Sequence, residues 1–275
     1  MILLDDLYVK FIDVIYKRTG LYYEPAKKYF VQKRLEKRVE ELELESFKEY
    51  YQLIKFSSDQ SEFNQLINDL TVNETYFFRD FPQLENFAEE ILVQYIKYKE
   101  AKNDYKLKIW SAACSTGEEP YTLSIILMEM LEKYDKWDIQ ILATDINTEV
   151  LATAKRGIYD NRSVRDVPEE YLGRYFTSRN GKHLINLNVR KSVAFKQLNL
   201  MESQEMRNII GCDFIFCRNC LIYFDDDSRK RVIESMYNSL KSCGYIFLGH
   251  SESIGRISSA FNVQRIGKTI VYSKP

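Results

Sequence analysis

The sequence predicts an α/β protein in two parts, an all-helical N-terminal domain followed by a Rossmann-like, mostly parallel, doubly wound sheet. Three observations predict it. From residue 107 onward, strand-like and helix-like segments alternate. Two strand-like runs end in acidic or small-residue turns: LKIWSAACSTGEE at 107–119, and ILATD ending on Asp145. That is the outline of a nucleotide-type pocket at the carboxyl ends of parallel strands. Before them, residues 1 to about 100 carry helical periodicity and no strong strand signal.

Taken in order, Leu7, Phe11, Val14 and Ile15 share one helical face that closes at Gly20. After Pro25, the residues Val31, Leu35, Val39 and Leu42 recur at i, i+4, i+8 and i+11, the stripe of a buried helix face. Beside it run Lys27, Lys33, Arg34, Lys37 and Arg38, and the sign then flips at Glu41, Glu43, Glu45 and Glu49. Such a run is either a solvated face or a docking face for an acidic partner. Two more helices fit residues 46–56 and 59–71, closing a first domain at 1–72. Asn73-Glu74-Thr75-Tyr76-Phe77-Phe78-Arg79 then mixes polar groups with aromatics and ends on a cation. It reads as a capped helix start, or as a turn that aims Arg79 at a pocket. A helix at about 84–99 and a polar stretch complete a link at 73–106.

In the second part, at 107–275, strands read at 107–112, 139–144, 193–197, 214–217 and 245–248, and helices at 120–134, 148–155 and 227–241. FNVQRIGKTIVYSK reads as two strands joined at Gly267-Lys268, an antiparallel edge hairpin. Alternation lapses between Gly157 and Arg190, where Asn180-Gly181 marks a small antiparallel β insertion at about 158–192.

Composition narrows the function. A net charge of −1 excludes the overall basic field of many nucleic-acid binders, so any basic docking face must be local. No apolar run approaches the roughly 20 residues that span a bilayer, and the N-terminus has no secretory cleavage pattern. Five cysteines in 275 residues make no small-domain disulfide framework, which points to a reducing, cytoplasmic setting. Cys217-Arg218-Asn219-Cys220 is a CxxC, but its first cysteine closes an apolar strand, and scattered Cys and two His supply no zinc pattern. No metal is expected. The turn at 113–119 has one glycine, Gly117, so neither a GxGxxG nor a P-loop is present.

NETYFFRD, WSAACSTGEEPYTLSIIL, ATDINTEVLATAKRGIY, FIFCRNCLIYFD and FLGHSES resemble, in order, the signatures of the chemotaxis receptor glutamate methyltransferases of CheR type. The resemblance spans nearly the whole chain. It implies the S-adenosylmethionine methyltransferase version of the doubly wound fold, with S-adenosylhomocysteine as product and glutamates on the cytoplasmic helical bundle of methyl-accepting receptors as substrate. By motif position it implies Asn73, Thr75 and Arg79 in the cofactor pocket, with Glu119 as its acid and Glu118 beside it. Asp145 matches the acid expected on the ribose hydroxyls, Asn199 and Leu200 flank the adenine, and Arg218 and Asn219 lie at the fourth strand end. Tyr223 resembles an aromatic near the methyl donor; with Arg79 it is the candidate catalytic residue. Lys33, Arg34, Lys37 and Arg38 become candidates for receptor docking. The insertion has a short glycine-poor loop (RYFTSRNGKHLINLNVRKS), unlike members that tether to a receptor's C-terminal pentapeptide, so a tether-independent monomer is expected. Rival readings are a methyltransferase with a non-chemotaxis target and a non-catalytic S-adenosylmethionine-responsive regulator.

Overall fold

The computed structural model describes residues 2–255, 257–267 and 269–275. Four helices form the N-terminal region: α1 (Asp5–Thr19), α2 (Lys28–Glu41), α3 (Phe47–Phe56) and α4 (Ser61–Leu70). α1 opens on Asp5 and Asp6 and closes on Lys17 and Arg18, charges that complement its dipole. Gly20 ends it at φ 71°, a left-handed cap that suits glycine. Its buried face is Tyr8, Phe11 and Ile15, with Leu7 and Val14 half-buried beside them. On α2 the stripe Val31, Leu35 and Val39 is buried, whereas Leu42 lies past the helix end.

The link is one continuous helix with a π-helical turn inside it rather than a plain one: α5 (Phe81–Asn86), the π turn at Phe87–Leu92, and α6 (Val93–Ala101). Phe87 lies in that turn, fully buried, with its ring edge-on to Phe214, Phe216 and Phe247 at 5.1–5.4 Å. The extra residue of a π turn lets this ring wedge onto the sheet.

The second region begins with β1 (Lys106–Ala112), α7 (Glu118–Met130), β2 (Asp138–Asp145) and α8 (Thr148–Arg156). An insertion follows: β3 (Ile158–Asp160), α9 (Glu169–Tyr175), β4 (Phe176–Arg179), β5 (Lys182–Ile185) and α10 (Leu187–Lys191). Then come β6 (Val193–Gln197), α11 (Ser203–Met206), β7 (Cys212–Cys217), α12 (Asp226–Ser239), β8 (Leu240–Leu248), β9 (Asn262–Ile266) and β10 (Thr269–Ser273). The main sheet has seven strands in the order β6-β2-β1-β7-β8-β10-β9, parallel from β6 to β8. β10 pairs antiparallel with both β8 and β9, so β9 runs in the direction of the parallel strands. The expected hairpin is present, although its turn residue Lys268 lies outside the described residues. The order reverses at β1, which places the switch point at the carboxyl ends of β1, β2 and β7.

The strand expected at 245–248 starts five residues earlier, at Leu240, taking over where the helix expected to reach 241 stops at Ser239. The insertion is a three-stranded antiparallel sheet, β3-β5-β4. Its tight turn uses Asn180 and Gly181 at φ 51° and 69°, the positive pair that a two-residue hairpin turn requires.

Candidate functional site

The carboxyl ends of the central strands open into a cavity of about 910 Å³, walled by both regions of the chain. After β1 the backbone turns through Ala113 (φ 59°), Ser115 (φ 49°) and Gly117 (φ 93°). A Cβ on Gly117 would stand 2.8 Å from that of Ala154 on α8, so glycine answers both a positive φ and a close helix approach. Its role is to bring loop and helix together, not to cradle a phosphate.

That turn delivers the Ser115 N–H to Asp145 Oδ2 at 2.8 Å, and Asn147 N–H reaches Oδ1 at 2.9 Å. Asp145 is 7% exposed; burial pushes its carboxyl up, against the pull of these backbone donors. Each carboxylate oxygen keeps acceptor capacity toward the cavity. Glu119, in the first turn of α7, accepts from Ser111 Oγ at 2.7 Å and faces Arg218 Nη1 at 3.4 Å, and burial raises it too. Arg218 leaves the end of β7, donates Nη2 to the carbonyl of Arg79 at 2.5 Å and stands 3.5 Å from Asp80. Its buried Nε has no hydrogen-bond partner among the described residues. Arg79 donates to the carbonyl of Glu74 at 2.7 Å and lies over the Tyr76 ring.

Asn73, Thr75, Arg79, Glu119, Asp145, Asn199, Leu200, Arg218, Asn219 and Tyr223 all line this cavity. Two of these have further duties. The Asn73 carbonyl accepts from Ser115 Oγ at 3.3 Å, and the Asn199 amide donates to the carbonyl of Arg18 at 2.6 Å, tying the loop after β6 to the end of α1. Glu118 is set apart. Its carboxylate accepts from Thr116 Oγ1 at 2.6 Å beside Ser163 and Asp160 of the insertion, off the cavity wall, because successive residues at a helix start point about 100° apart.

The basic set on α2 divides. Arg38 is 7% exposed and clamps Glu62 of α4 through Nε and Nη2 (2.9 and 2.6 Å), with Tyr50 donating to the same carboxylate. It faces the helical core, so the expected docking role for Arg38 is corrected to an internal one. Lys37 pairs with Asp69 at 2.6 Å. Lys33 is exposed over the Tyr29 ring, and Arg34 stacks at 3.8 Å on Phe30, itself a cavity wall.

Sequence reasoning missed the contribution of the helical region to the wall: Tyr22, Tyr23 and Phe30. Tyr22 N–H donates to the carbonyl of Tyr223 at 2.9 Å, and Leu21 forms an antiparallel bridge with Phe224. The aromatic pair Tyr22-Tyr23, two residues after the Gly20 cap, was the available signal. Strain also gathers here. Phe78, Ala113, Ser115 and Asn219 line the cavity at positive φ, and Asp80, off the wall but beside Arg218, is also at positive φ, each at a cost of about 1–3 kcal/mol. Cys217 and Cys220 are both buried, and a hydrogen bond between the thiols together with burial pushes Cys217 up, away from reactive thiolate. Among the described residues no cluster of three or more His, Cys, Asp or Glu is placed to hold a metal.

Residues 6–71 match the family model for the CheR methyltransferase all-alpha domain, and residues 73–270 that for the CheR methyltransferase SAM binding domain. The chain is 43% identical to chemotaxis protein methyltransferase 2 of Vibrio cholerae, over 100% of this chain and 95% of that one. It is 36% identical to chemotaxis protein methyltransferase 2 of Pseudomonas aeruginosa (93% and 89% covered). Against the chemotaxis protein methyltransferase of Escherichia coli K12 it is 34% identical, with 94% and 87% covered.

Proposed function

The chain belongs to the CheR methyltransferase family, and on that premise we propose that it methylates glutamate side chains on the cytoplasmic helices of chemoreceptors, giving methyl esters. The observation that carries this reading is the pairing of Asp145 with the Glu119–Arg218 cluster on one cavity walled by both regions. A cavity of about 910 Å³ suits a nucleoside with an amino-acid tail and leaves an open end for an acceptor.

The residues fit the cofactor. Asp145, a buried acceptor-only carboxylate when ionised, suits a vicinal diol, and charge-assisted bonds make that contact strong. Asn199 and Leu200 wall the neighbouring side, where a flat base would lie. Glu119, with Arg218 and Arg79 near it, offers both signs of charge to an amino-acid tail, and the unpartnered Nε of Arg218 is a buried donor available to it. Asn73 and Thr75 close this end. When bound, S-adenosylmethionine supplies a methyl group already activated on a sulfonium.

The protein then has little proton chemistry to do. An ordinary glutamate, with pKa about 4.3, is ionised at neutral pH. What remains is alignment and exclusion of water. Tyr223, about one-third exposed at the mouth, lines the acceptor path, and burial raises its phenol, which keeps it neutral. Arg79, which lines the same cavity, orients the acceptor carboxylate. Neither is a general base. Lys33, exposed, and Arg34, half-buried on Phe30, offer a basic face to an acidic receptor helix. The two-residue turn at Asn180-Gly181 leaves little loop for a tethering peptide, so the enzyme works from the receptor bundle directly.

The test is transfer of labelled methyl to a receptor cytoplasmic fragment, with base-labile product. Cofactor binding without transfer would instead favour a regulator, and label on other proteins but not the fragment would favour a non-chemotaxis target. Calorimetric binding of an isolated receptor C-terminal pentapeptide would overturn tether independence.

A further inference from the structure

The loop after β8, residues 249–252, supplies no described side chain to the cavity wall, yet it holds two pieces of that wall. Glu252 accepts three backbone N–H groups: Gly249 at 2.7 Å and Asn219 at 2.8 Å on Oε2, and Ile222 at 3.3 Å on Oε1. The last two belong to the segment that carries Arg218 and Tyr223. Asn219 is at φ 58°, a conformation unfavourable for a non-glycine residue unless the surroundings hold it, and its N–H points at this carboxylate. Gly249 makes the approach possible, since a Cβ there would stand 2.8 Å from Glu252 Oε2 and 2.9 Å from Asn219 N. The same loop reaches the other wall. His250 Nε2 lies 2.6 Å from Asp80 Oδ1, next to Arg79, and Gln83 of α5 donates to the carbonyl of Leu248 at 2.8 Å.

We propose that Glu252 is a positioning residue for methyl transfer: its carboxylate gathers the Asn219 and Ile222 amides and so fixes the register in which Tyr223 faces the cavity, while Arg218 keeps its own anchors on Glu119 and the Arg79 carbonyl. This rests on the function proposed above. A carboxylate is the group suited to it, because it accepts on two oxygens without donating, and bonds to a charged acceptor are the stronger ones. Without it the Asn219 backbone would relax out of the positive-φ region, and Tyr223, four residues on, would move with it.

The experiment compares the full-length chain with E252A, E252Q and E252D. Three quantities are read: the saturated rate of labelled methyl transfer to a receptor fragment, the calorimetric affinity for S-adenosylhomocysteine, and amide hydrogen exchange at Asn219 and Ile222. A misplacement of about 1 Å costs about 100-fold in rate, so E252A should lose that order of turnover while product affinity stays within about threefold. E252Q should fall between E252A and the parent chain, and E252D should recover part of the rate. Exchange at Asn219 and Ile222 should accelerate in E252A, with the rest of the sheet unchanged. An E252A turnover within about threefold of the parent overturns the proposal. So does a loss of turnover matched by an equal loss of product affinity and faster exchange across the whole sheet. Failure of the parent chain to label the fragment refutes the proposed function instead, and the exchange rates then decide this assignment: acceleration confined to 219 and 222 sustains it, and unchanged exchange overturns it.

Discussion

Replacing Asp145 by Asn separates cofactor recognition from loop capping, the two jobs this carboxylate could have. Its oxygens already accept Ser115 and Asn147 N–H at 2.8 and 2.9 Å. An amide of the same shape keeps one such bond and turns an –NH2 toward the other donor, leaving a buried N–H unpaired at about 1–3 kcal/mol. Against this stands the removal of a buried charge. Burial raises the Asp145 carboxyl despite the backbone donors, so the ionised form is itself costly in the folded chain. The two terms oppose, and stability without ligand should change by no more than about 1–2 kcal/mol. Affinity has no such compensation. Two charge-assisted bonds to a diol become at most one neutral bond, a loss of about 2–4 kcal/mol, or roughly 30- to 1,000-fold. Calorimetry with S-adenosylhomocysteine and thermal melts on the same preparations measure both. Product affinity within about threefold of the parent, with a clear fall in melting temperature, would refute the reasoning and leave Asp145 as a loop cap.

The remaining predictions follow from the same geometry. K33E/R34E should raise the Michaelis constant for receptor in a salt-dependent way and leave product affinity unchanged, whereas R38A should mainly destabilise, because Glu62 is left half-buried without its bidentate partner; kinetics and denaturant melts tell them apart. Burial raises both Asp145 and Glu119, and the bound cofactor needs them ionised, so affinity is present above their folded-state pKa values and is lost as pH falls through them. The decline should therefore begin above the ordinary carboxylate range of about 4, with protons released on binding as pH falls toward that range; calorimetry in buffers of different ionisation enthalpy that finds no release would contradict it. Asp213, fully buried at the opposite end of β7, accepts from Tyr95, Lys99 and Lys241. Its change to Ala should cost about 1–3 kcal/mol in urea melts by leaving the Tyr95 hydroxyl and the Lys108 N–H without their acceptor and Lys99 with Asp104 alone, with product affinity unaltered; a cost below about 1 kcal/mol would refute the network.

Periodicity located the helices of the first region and the parallel strands of the second, because a buried stripe and a buried strand leave direct marks on sequence. What periodicity could not reveal was direction around a helix start or across a domain boundary. Glu118 and Glu119 are adjacent carboxylates in one motif, and only the backbone path from Gly117 decides that one meets Arg218 and the other the insertion. Arg38 carries the same charge as Lys33, but its neighbour on α4, Glu62, lies 24 residues away and turns it inward. The π turn at Phe87 leaves no local signature, since it answers the position of three phenylalanines on strands far along the chain. The FLGHSES run was visible as a motif, yet the work of Glu252 is done on backbone amides of another loop.

The helical region is fastened to the sheet beside Asp145, the acid proposed to hold the cofactor. Asn68 at the end of α4 and Thr148 at the start of α8 exchange hydrogen bonds, each 2.9 Å, between the Asn68 amide and the Thr148 hydroxyl and N–H. Asn147, 1% exposed, caps α8 by accepting from Glu149 and Val150 N–H and donates its amide to the Asn68 carbonyl and the Thr71 hydroxyl. Its side chain is fully used. Its own N–H is one of the two that hold Asp145. A buried amide satisfied on all sides has one arrangement, so α4 and the Asp145 loop must move together or not at all. The same logic holds across the cavity, where Tyr22 N–H and the Asn199 amide join the α1 end to the 223–224 and 199 loops. Both fasteners fall on cavity-lining segments, which makes the helical region part of the pocket's framework. On the proposed function, a receptor helix pressing on α2 would therefore act on a body already bonded to the Asp145 loop, and the strained residues around the cavity need that body to stay as they are.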